Sequence, residues 1–335
     1  MAETVLGIDF GCSNITIQNE NGLLLKQPNV MAVKKIGDEV EFITAGERAK
    51  TMLGKATDNV YVFYPVSAGE IVSVNYAELE LKKIFSSLGL KFGFFSRLKV
   101  ITPIPSGITS EEQVKYIKLF KGIGAKEVVC IPKLFLTALG ENINIGANSA
   151  KLIVDIGGGN VECGVINLNT LICSSSLGIG GRTLDLTIID YIKHKYQTII
   201  GENTAQSLKE QIFSLYATDT AKMEVNGVSS IDNSPVTITV YAKDIFDATH
   251  SFYDEIIKII RTTISSLSPE ISSDVVRNGI YVCGGLSKVP GLDKYFKQKL
   301  GINVFISYES ENSNIKGMST LLSHSDILDN ILKNL

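Results

Sequence analysis

Nothing in this chain marks it for a bilayer span, for export or for a disulfide framework. No apolar run reaches the roughly 18 residues a membrane span needs, and Met1-Ala-Glu-Thr leads straight into a strand-like run with no signal-peptide architecture. The expected location is the cytoplasm. Five cysteines, at 12, 130, 163, 173 and 283, are odd in number, lack any C-x-x-C spacing and read as reduced packing thiols. Charge of one sign is not in excess either: 32 basic against 35 acidic side chains leave a net −3, which gives no general attraction to nucleic acid. Partners must then be recognised locally. What the chain does have is apolar content, 44% of 335 residues, enough for large cores and, at this length, for two domains of comparable size.

A repeat points to the same division. Val5-Leu-Gly-Ile-Asp9-Phe-Gly11-Cys-Ser-Asn14 and Leu152-Ile-Val-Asp155-Ile-Gly157-Gly-Gly-Asn160 stand 146 positions apart, and each reads as an apolar strand ending in aspartate, a glycine turn and a second β-rich strand. Two such mouths facing each other suit a phosphate tail. Glycines let backbone N–H groups crowd around phosphate oxygens, and the aspartates can hold Mg²⁺ through its waters, since Mg²⁺ gives up its hydration reluctantly. Gly284 and Gly285, between a strand and a helix, would let a flat ring or ribose approach the backbone.

Between the two hairpins, helical periodicity over Tyr76 to Leu88 and strands over Val100 to Ile104 and Val128 to Ile131 alternate as in open α/β sheets. Ser110-Glu-Glu-Gln113 reads as a capping box opening a helix, and Leu134 to Leu139 as a further helix. The second half repeats this order. Gly178-Ile-Gly180-Gly181 precedes a helix from Leu184 to Tyr196, a helical stretch spans Thr204 to Leu215, and Met223 to Val228 and Pro235 to Tyr241 form a hairpin. Asp244 is the expected N-cap of a long helix to Leu267, and a strand at Gly279 to Val282 leads into the Cys283-Gly-Gly-Leu-Ser287 turn. A helix from Pro290 to Leu300 and a strand from Val304 to Ser307 follow. The tail presents Ile327, Leu328, Ile331, Leu332 and Leu335 on one face, which reads as core.

The order of these pieces resembles the actin, Hsp70 and sugar kinase superfamily, and within it the MreB bacterial actins. Leu6-Gly-Ile-Asp9, Gln27-Pro-Asn-Val30, Ala45-Gly-Glu-Arg-Ala49, Met52-Leu-Gly54, Pro105-Ser-Gly-Ile-Thr109, Ile192-Lys-His-Lys-Tyr196 and Ile200-Gly-Glu-Asn-Thr204 carry the likeness over nearly the whole chain. It implies an α/β actin-like ATPase fold of two duplicated RNase H-like domains flanking a nucleotide cleft. Domain I would span 1–146 plus 318–335, with subdomain IB at about 31–75, and domain II would span 147–317, with subdomain IIB at about 183–243. By the same resemblance ATP or ADP with Mg²⁺ binds at Asp9, Gly11, Cys12, Ser13 and Asn14 in a first phosphate loop and Asp155, Gly157, Gly158, Gly159 and Asn160 in a second. Gly180, Gly181, Gln206, Lys209, Glu210, Gly284, Gly285, Leu286 and Ser287 complete the pocket, with Asp9 and Asp155 holding the metal through water.

The chain departs from the family where hydrolysis is performed. MreB proteins carry Glu-Glu-Pro before a small-residue helix and a threonine after the glycine triplet; here the segments read Ile131-Pro-Lys133-Leu134 and Gly159-Asn160. Lysine is a poor general base at neutral pH, so the expectation is an ATP-binding, polymerising cytoskeletal protein with weak or lost hydrolysis. A neighbouring acid that restores the function is the alternative to that loss. Arg182, in place of an acid, is expected to add a cation near the phosphates. The competing class is a small-molecule kinase of the same superfamily, for which no cleft acid stands out. An Hsp70-like chaperone is not expected, since no substrate domain follows Leu335. Self-assembly into head-to-tail, paired filaments follows from the resemblance, with other MreB-like proteins and the inner membrane face as further partners and no nucleic acid. Phe92, Phe94 and Phe95, flanked by Lys91, Arg97 and Lys99, form the candidate membrane loop, with core packing as the alternative.

Overall fold

The computed structural model describes residues 3–37, 39–92, 97–216 and 218–335. In chain order the first half forms β1 (Glu3–Phe10), β2 (Asn14–Asn19), β3 (Gly22–Pro28), β4 (Met31–Ile36), β5 (Glu39–Ala45), α1 (Glu47–Lys50), β6 (Val60–Phe63), β7 (Val66–Ser67) and β8 (Glu70–Ile71). It continues through α2 (Val74–Ser87), β9 (Arg97–Ile104), α3 (Ser110–Gly122), β10 (Ala125–Pro132) and α4 (Lys133–Gly140). The second half forms β11 (Lys151–Ile156), β12 (Val161–Asn167), β13 (Thr170–Leu177), α5 (Gly181–Tyr196), β14 (Thr198–Ile199), α6 (Glu202–Gln211), β15 (Lys222–Ser229) and β16 (Pro235–Tyr241). It closes with α7 (Ala242–Ser265), α8 (Pro269–Asn278), β17 (Ile280–Cys283), α9 (Leu292–Leu300), β18 (Val304–Phe305), α10 (Ser313–Ser323) and α11 (Ser325–Leu332).

The two large sheets have one topology. The first runs β10-β9-β1-β2-β3 and the second β18-β17-β11-β12-β13, each with an antiparallel meander of three strands and two parallel strands on its other side. The register also repeats: Asp9 pairs with Thr16 and Asp155 with Glu162, seven residues on in both copies. Small three-stranded sheets, β5-β4-β6 and β14-β15-β16, interrupt the two halves at corresponding stages.

Each large sheet buries one face against its own helices. Leu6, Ile8, Ile15 and Val100 meet Leu81, Phe85, Leu119 and Phe120 of α2 and α3, while Leu152, Val154, Val161 and Val282 meet Leu184, Ile188, Ile256, Ile260 and Phe296 of α5, α7 and α9. A third core lies between the sheets, where Ile101, Ile131, Ile153 and Ile166 enclose α4 together with Met318, Leu321, Leu328 and Ile331. Glycine lets the central helices touch backbone to backbone. A Cβ on Gly140 would overlap the Ser313 carbonyl, and one on Gly317 the Leu136 carbonyl. Buried Gln18 fixes α10 to β2, donating to Ile315 O at 3.1 Å and Ser319 Oγ at 2.8 Å.

Several local expectations shift. Thr109, not Ser110, caps α3, its hydroxyl accepting from Glu112 N, because Ser110 is already the first helical residue. The long helix starts at Ala242, and Asp244 sits a turn inside it, accepting from Tyr241 N at 2.9 Å and Tyr196 Oη at 2.6 Å while pairing with Lys195. The 200s helix ends at Gln211, and α8 and α10 form where no helix was expected. On the tail, Leu328 and Ile331 are buried but Leu332 and Leu335 are exposed, since α11 ends at Leu332. All five cysteines are free thiols.

Candidate functional site

The two Asp-x-Gly turns fold alike. Gly11 N donates to Asn14 O at 3.1 Å and Gly157 N donates to Asn160 O at 3.0 Å, so each turn closes on the same three-residue step. The turns face each other with their tips in contact: a Cβ on Gly158 would overlap Ser13 Oγ, and one on Gly159 would stand 2.5 Å from Cys12 Cβ. Asn29 backs the first turn from 0% exposure, its N donating to Ser13 O at 2.9 Å and its Nδ2 to Gly11 O at 2.7 Å. The start of α5 backs the second, where Gly181 N and Arg182 N donate to Gly157 O and Gly158 O at 3.1 and 2.9 Å. Those helix-terminal donors are therefore committed to the loop. Gly180 admits no side chain there, since a Cβ would stand 2.6 Å from Gly159 N.

Lys133 lies between these turns. Pro132 ends β10 and starts α4, so the lysine is the first residue of a helix buried from Leu134 to Gly140, and its backbone has no freedom to retreat. Its Nζ lies 2.8 Å from Asp155 Oδ2. Asn314 Nδ2 donates to that same oxygen at 3.2 Å and Thr137 Oγ1 at 3.5 Å, while Asn314 Oδ1 accepts from Thr137 at 2.8 Å. Burial alone would pull the Lys133 ammonium down, but Asp155, Glu162 and Asp9 outweigh it and hold the proton on more firmly than usual.

Glu162 is a buried acid that the sequence reading did not single out. It is fully enclosed, accepting from Ser106 N at 2.7 Å and from Asn160 Nδ2 at 2.8 Å. Burial raises its pKa, with Lys133 and the Ser106 amide opposing. Asp9, on the facing turn, is half-buried, and its carboxylate accepts no hydrogen bond from the described residues. Burial lifts its pKa to about 6, with Lys133 lowering it and Asp155 raising it. The spacing of seven that places Thr16 opposite Asp9 places Glu162 opposite Asp155, which is the signal that could have found it.

A cross-cleft tie was also not foreseen. Arg182 Nη2 donates to Val66 O at 2.9 Å, and the guanidinium lies 4.1 Å from the Tyr64 ring centroid. The β7–β8 hairpin that receives it also donates from Gly69 N to Cys12 Sγ at 3.1 Å and accepts from Tyr116 Oη at Gly69 O at 3.0 Å. The arginine expected to add a cation near the phosphates is thus bound to the first half, and its Nη2 would stand 3.0 Å from a Cβ on Gly159.

The remaining expected residues divide. Lys209 turns inward, donating to Asp185 Oδ1 at 2.6 Å and Gly181 O at 2.8 Å, and so supports the second loop from behind. Gln206 and Glu210 bond to each other at 2.6 Å on the outer face of α6. Gly284, at φ +87, packs against Asp155 so closely that a Cβ would overlap Oδ1, whereas nothing lies near Gly285. Leu286 joins the second core, and Ser287 is buried with its hydroxyl on Gly284 O at 2.8 Å and Ser310 Oγ at 2.6 Å, so these two shape the turn from inside. Phe92 is partly buried, with its ring 5.7 Å from that of Phe85 in an edge contact, which matches the core-packing alternative for this residue. Phe94 and Phe95 lie outside the described residues.

Two sheets of one topology, meeting at paired Asp-x-Gly turns, define the actin-like fold. Solved structures agree: MreB5 of Spiroplasma citri bound to AMPPNP superposes with a TM-score of 0.91 at 27% identity, covering 100% of both chains. Its ADP-bound form gives 0.91 over 99% of each. The MamK double helical filament gives 0.79 at 20% identity over 96% of this chain and 99% of that one, a likeness of fold. The MreB/Mbl protein family model matches residues 3–330. The chain belongs to the MreB/Mbl family of actin-like cytoskeletal proteins. Among relatives, the cell shape-determining protein Mbl of Bacillus subtilis (strain 168) is 28% identical over 325 residues, 96% of this chain and 97% of Mbl. The cell shape-determining protein MreB of Escherichia coli (strain K12) is 29% identical over 306 residues, 90% and 88% of the two chains. A small-molecule kinase is not favoured.

Proposed function

We propose that this protein binds ATP or ADP between the Asp9 and Asp155 turns, assembles with further copies of itself into head-to-tail paired filaments, and hydrolyses ATP slowly or not at all. The observation that carries the last part is the Lys133–Asp155 contact of 2.8 Å, a cation at the start of α4 where an MreB carries a carboxylate. A general base must reach the attacking water with a free lone pair. Glu162, a buried acid that also acts on Lys133, is enclosed and held at one oxygen by the Ser106 amide and at the other by Asn160. A fixed ammonium stabilises the phosphates of bound ATP as well as those of a transition state, and such uniform binding raises affinity without raising turnover.

Gly11 to Asn14 and Gly157 to Asn160 line the phosphates in this reading, with Gly285 the open approach for the nucleoside. Mg²⁺ enters as an ion carried on the phosphates, with Asp9 the carboxylate free to bind its waters. The nucleotide-bound Spiroplasma citri structures support the nucleotide, and the MamK filament supports assembly through a contact that does not close on itself. Domain I is taken as 1–146 with 318–335 and domain II as 147–317, α10 running unbroken across position 318.

No described helix is long and apolar enough to cross a membrane, and attachment to the inner membrane face is proposed through Phe94 and Phe95. Sedimentation and electron microscopy with ATP test assembly: filaments are expected, and a monomer at all nucleotide states overturns it. Co-sedimentation with anionic liposomes tests the loop. Binding is expected to fall in the Phe94→Ser, Phe95→Ser double variant, and unchanged binding removes the membrane role.

A further inference from the structure

We propose that the β7–β8 hairpin is a strap between the two halves at the glycine turns, fastened by Arg182, and that its unfastening sets how fast nucleotide enters and leaves. This rests on the nucleotide reading of the cleft and adds the step that controls exchange.

The hairpin moves with the first half. Gly69 N donates to Cys12 Sγ at 3.1 Å beside the first glycine turn, and Gly69 O accepts from Tyr116 Oη of α3 at 3.0 Å, so both backbone groups of one residue anchor it there. Its other contacts reach the second half. Arg182 Nη2 donates to Val66 O at 2.9 Å, with the guanidinium 4.1 Å from the centroid of the Tyr64 ring that leads into the hairpin. A Cβ on Gly178 would stand 3.1 Å from Ala68 Cβ, and one on Gly69 would stand 3.5 Å from Asn160 Nδ2. Ala68, at the tip, holds φ +51, a left-handed conformation that alanine keeps only where its surroundings impose it.

The joints between the halves are graded by burial, and the gradient says which parts first. The chain passes from one large sheet to the other through α4 and returns through α10, and these helices meet backbone to backbone at Gly140 and Gly317. A further inner tie, Ser106 N to Glu162 Oε2 at 2.7 Å, is buried at both ends. These joints form the pivot. The strap is the outer joint: Arg182 and Tyr64 are half-buried and Ala68 is exposed, so water can replace its contacts one side chain at a time. Arginine suits the fastening because its planar guanidinium stacks on a ring and donates in the same plane, which an ammonium cannot do.

A fluorescent ADP analogue on the full chain in Mg²⁺ reads both rates, association by rapid mixing and release into excess unlabelled ADP. Arg182→Ala is expected to speed both by about tenfold or more while affinity stays within about threefold of wild type, because a strap acts on entry and exit alike. Faster release with unchanged association would make Arg182 a direct nucleotide contact and overturn the inference, as would rates equal to those of wild type. A second variant fastens the strap covalently. Ala68→Cys with Gly178→Cys joins positions whose Cβ atoms would stand 3.1 Å apart, close to disulfide spacing. Oxidised, it is expected to release the analogue about tenfold or more slowly than wild type oxidised in parallel, and dithiothreitol should restore the rate. Release unaffected by that bond overturns the inference, whether or not Arg182→Ala folds. A wild-type chain that binds no analogue removes the nucleotide reading and the inference together.

Discussion

Lys133 Nζ and Asp155 Oδ2 form a 2.8 Å ion pair across the interface between the first large sheet and the second, joining the helix that follows β10 to the strand that opens the second half. The pair is a fold element as well as a site element. Removing one partner of a buried pair costs about 3 to 5 kcal/mol, because the other charge is left without compensation. Lys133→Met is therefore expected to lower the stability of the ligand-free protein by about that amount. Lys133→Met with Asp155→Asn should recover part of the loss, and a double-mutant cycle by urea denaturation measures the coupling. Strict additivity of the two changes would contradict the pairing.

Arg182 ties the start of α5 to the β7–β8 hairpin through the Val66 carbonyl and the Tyr64 ring. A hydrogen bond to a charged group contributes about 1.5 to 3 kcal/mol and an exposed cation–π contact about 0.5 to 1. Arg182→Ala is expected to speed amide exchange at Ser67 to Glu70 by about tenfold or more while leaving the centre of α7 protected. Equal exchange in both segments would mean that the arginine holds nothing across the cleft.

The central helices depend on two glycines. Gly317→Ala would drive a methyl group into the Leu136 carbonyl, a backbone atom that cannot turn aside. A loss of about 3 kcal/mol or more, or failure to fold, is expected. Gly285→Ala is the control, since nothing lies within 4 Å of the added carbon and stability should stay unchanged. The two melting temperatures decide it.

Glu80 of α2 is 0% exposed, and neither of its carboxylate oxygens has a hydrogen-bond partner among the described residues. Burial lifts its pKa from 4.5 to about 8. The folded chain therefore keeps the proton that the unfolded chain gives up above 4.5, and the stability this acid allows is full below pH 4.5 and is lost as pH rises toward 8. Glu80→Gln is expected to be more stable than wild type at pH 7.5 by up to about 4 kcal/mol, at about 1.4 kcal/mol per pKa unit, and the gain should shrink toward pH 5. A gain that does not change with pH would show that the carboxyl does not titrate between the two states.

Much of this was legible along the chain. Asp9 and Asp155 each end an apolar run and precede glycine, so local pattern alone placed both turns, and the alternation of strand and helix gave the duplicated sheets. The resemblance to MreB supplied what the fold and the family model then bear out. Partners far apart in sequence were not legible. Asn314 meets Asp155 from 159 positions away on a helix that no pattern announced, its buried face being carried by Gly317 and Met318. Lys209 and Ser287 belong to recognisable motifs, but whether a side chain points into a cleft or behind it depends on the neighbours that Asp185 and Ser310 provide. The cap of α3 was misplaced by one residue because Thr109 and Ser110 are both good caps and only the backbone chooses.

The central claim is that this cleft holds ATP better than it cuts it. Phosphate release by the full chain, followed together with its affinity for ATP under filament-forming conditions, is the most direct measurement. Tight binding with negligible release is expected, with Lys133→Glu gaining turnover; release by the wild-type chain at the rates ordinary for MreB proteins would contradict the assignment of Lys133 and Asn160.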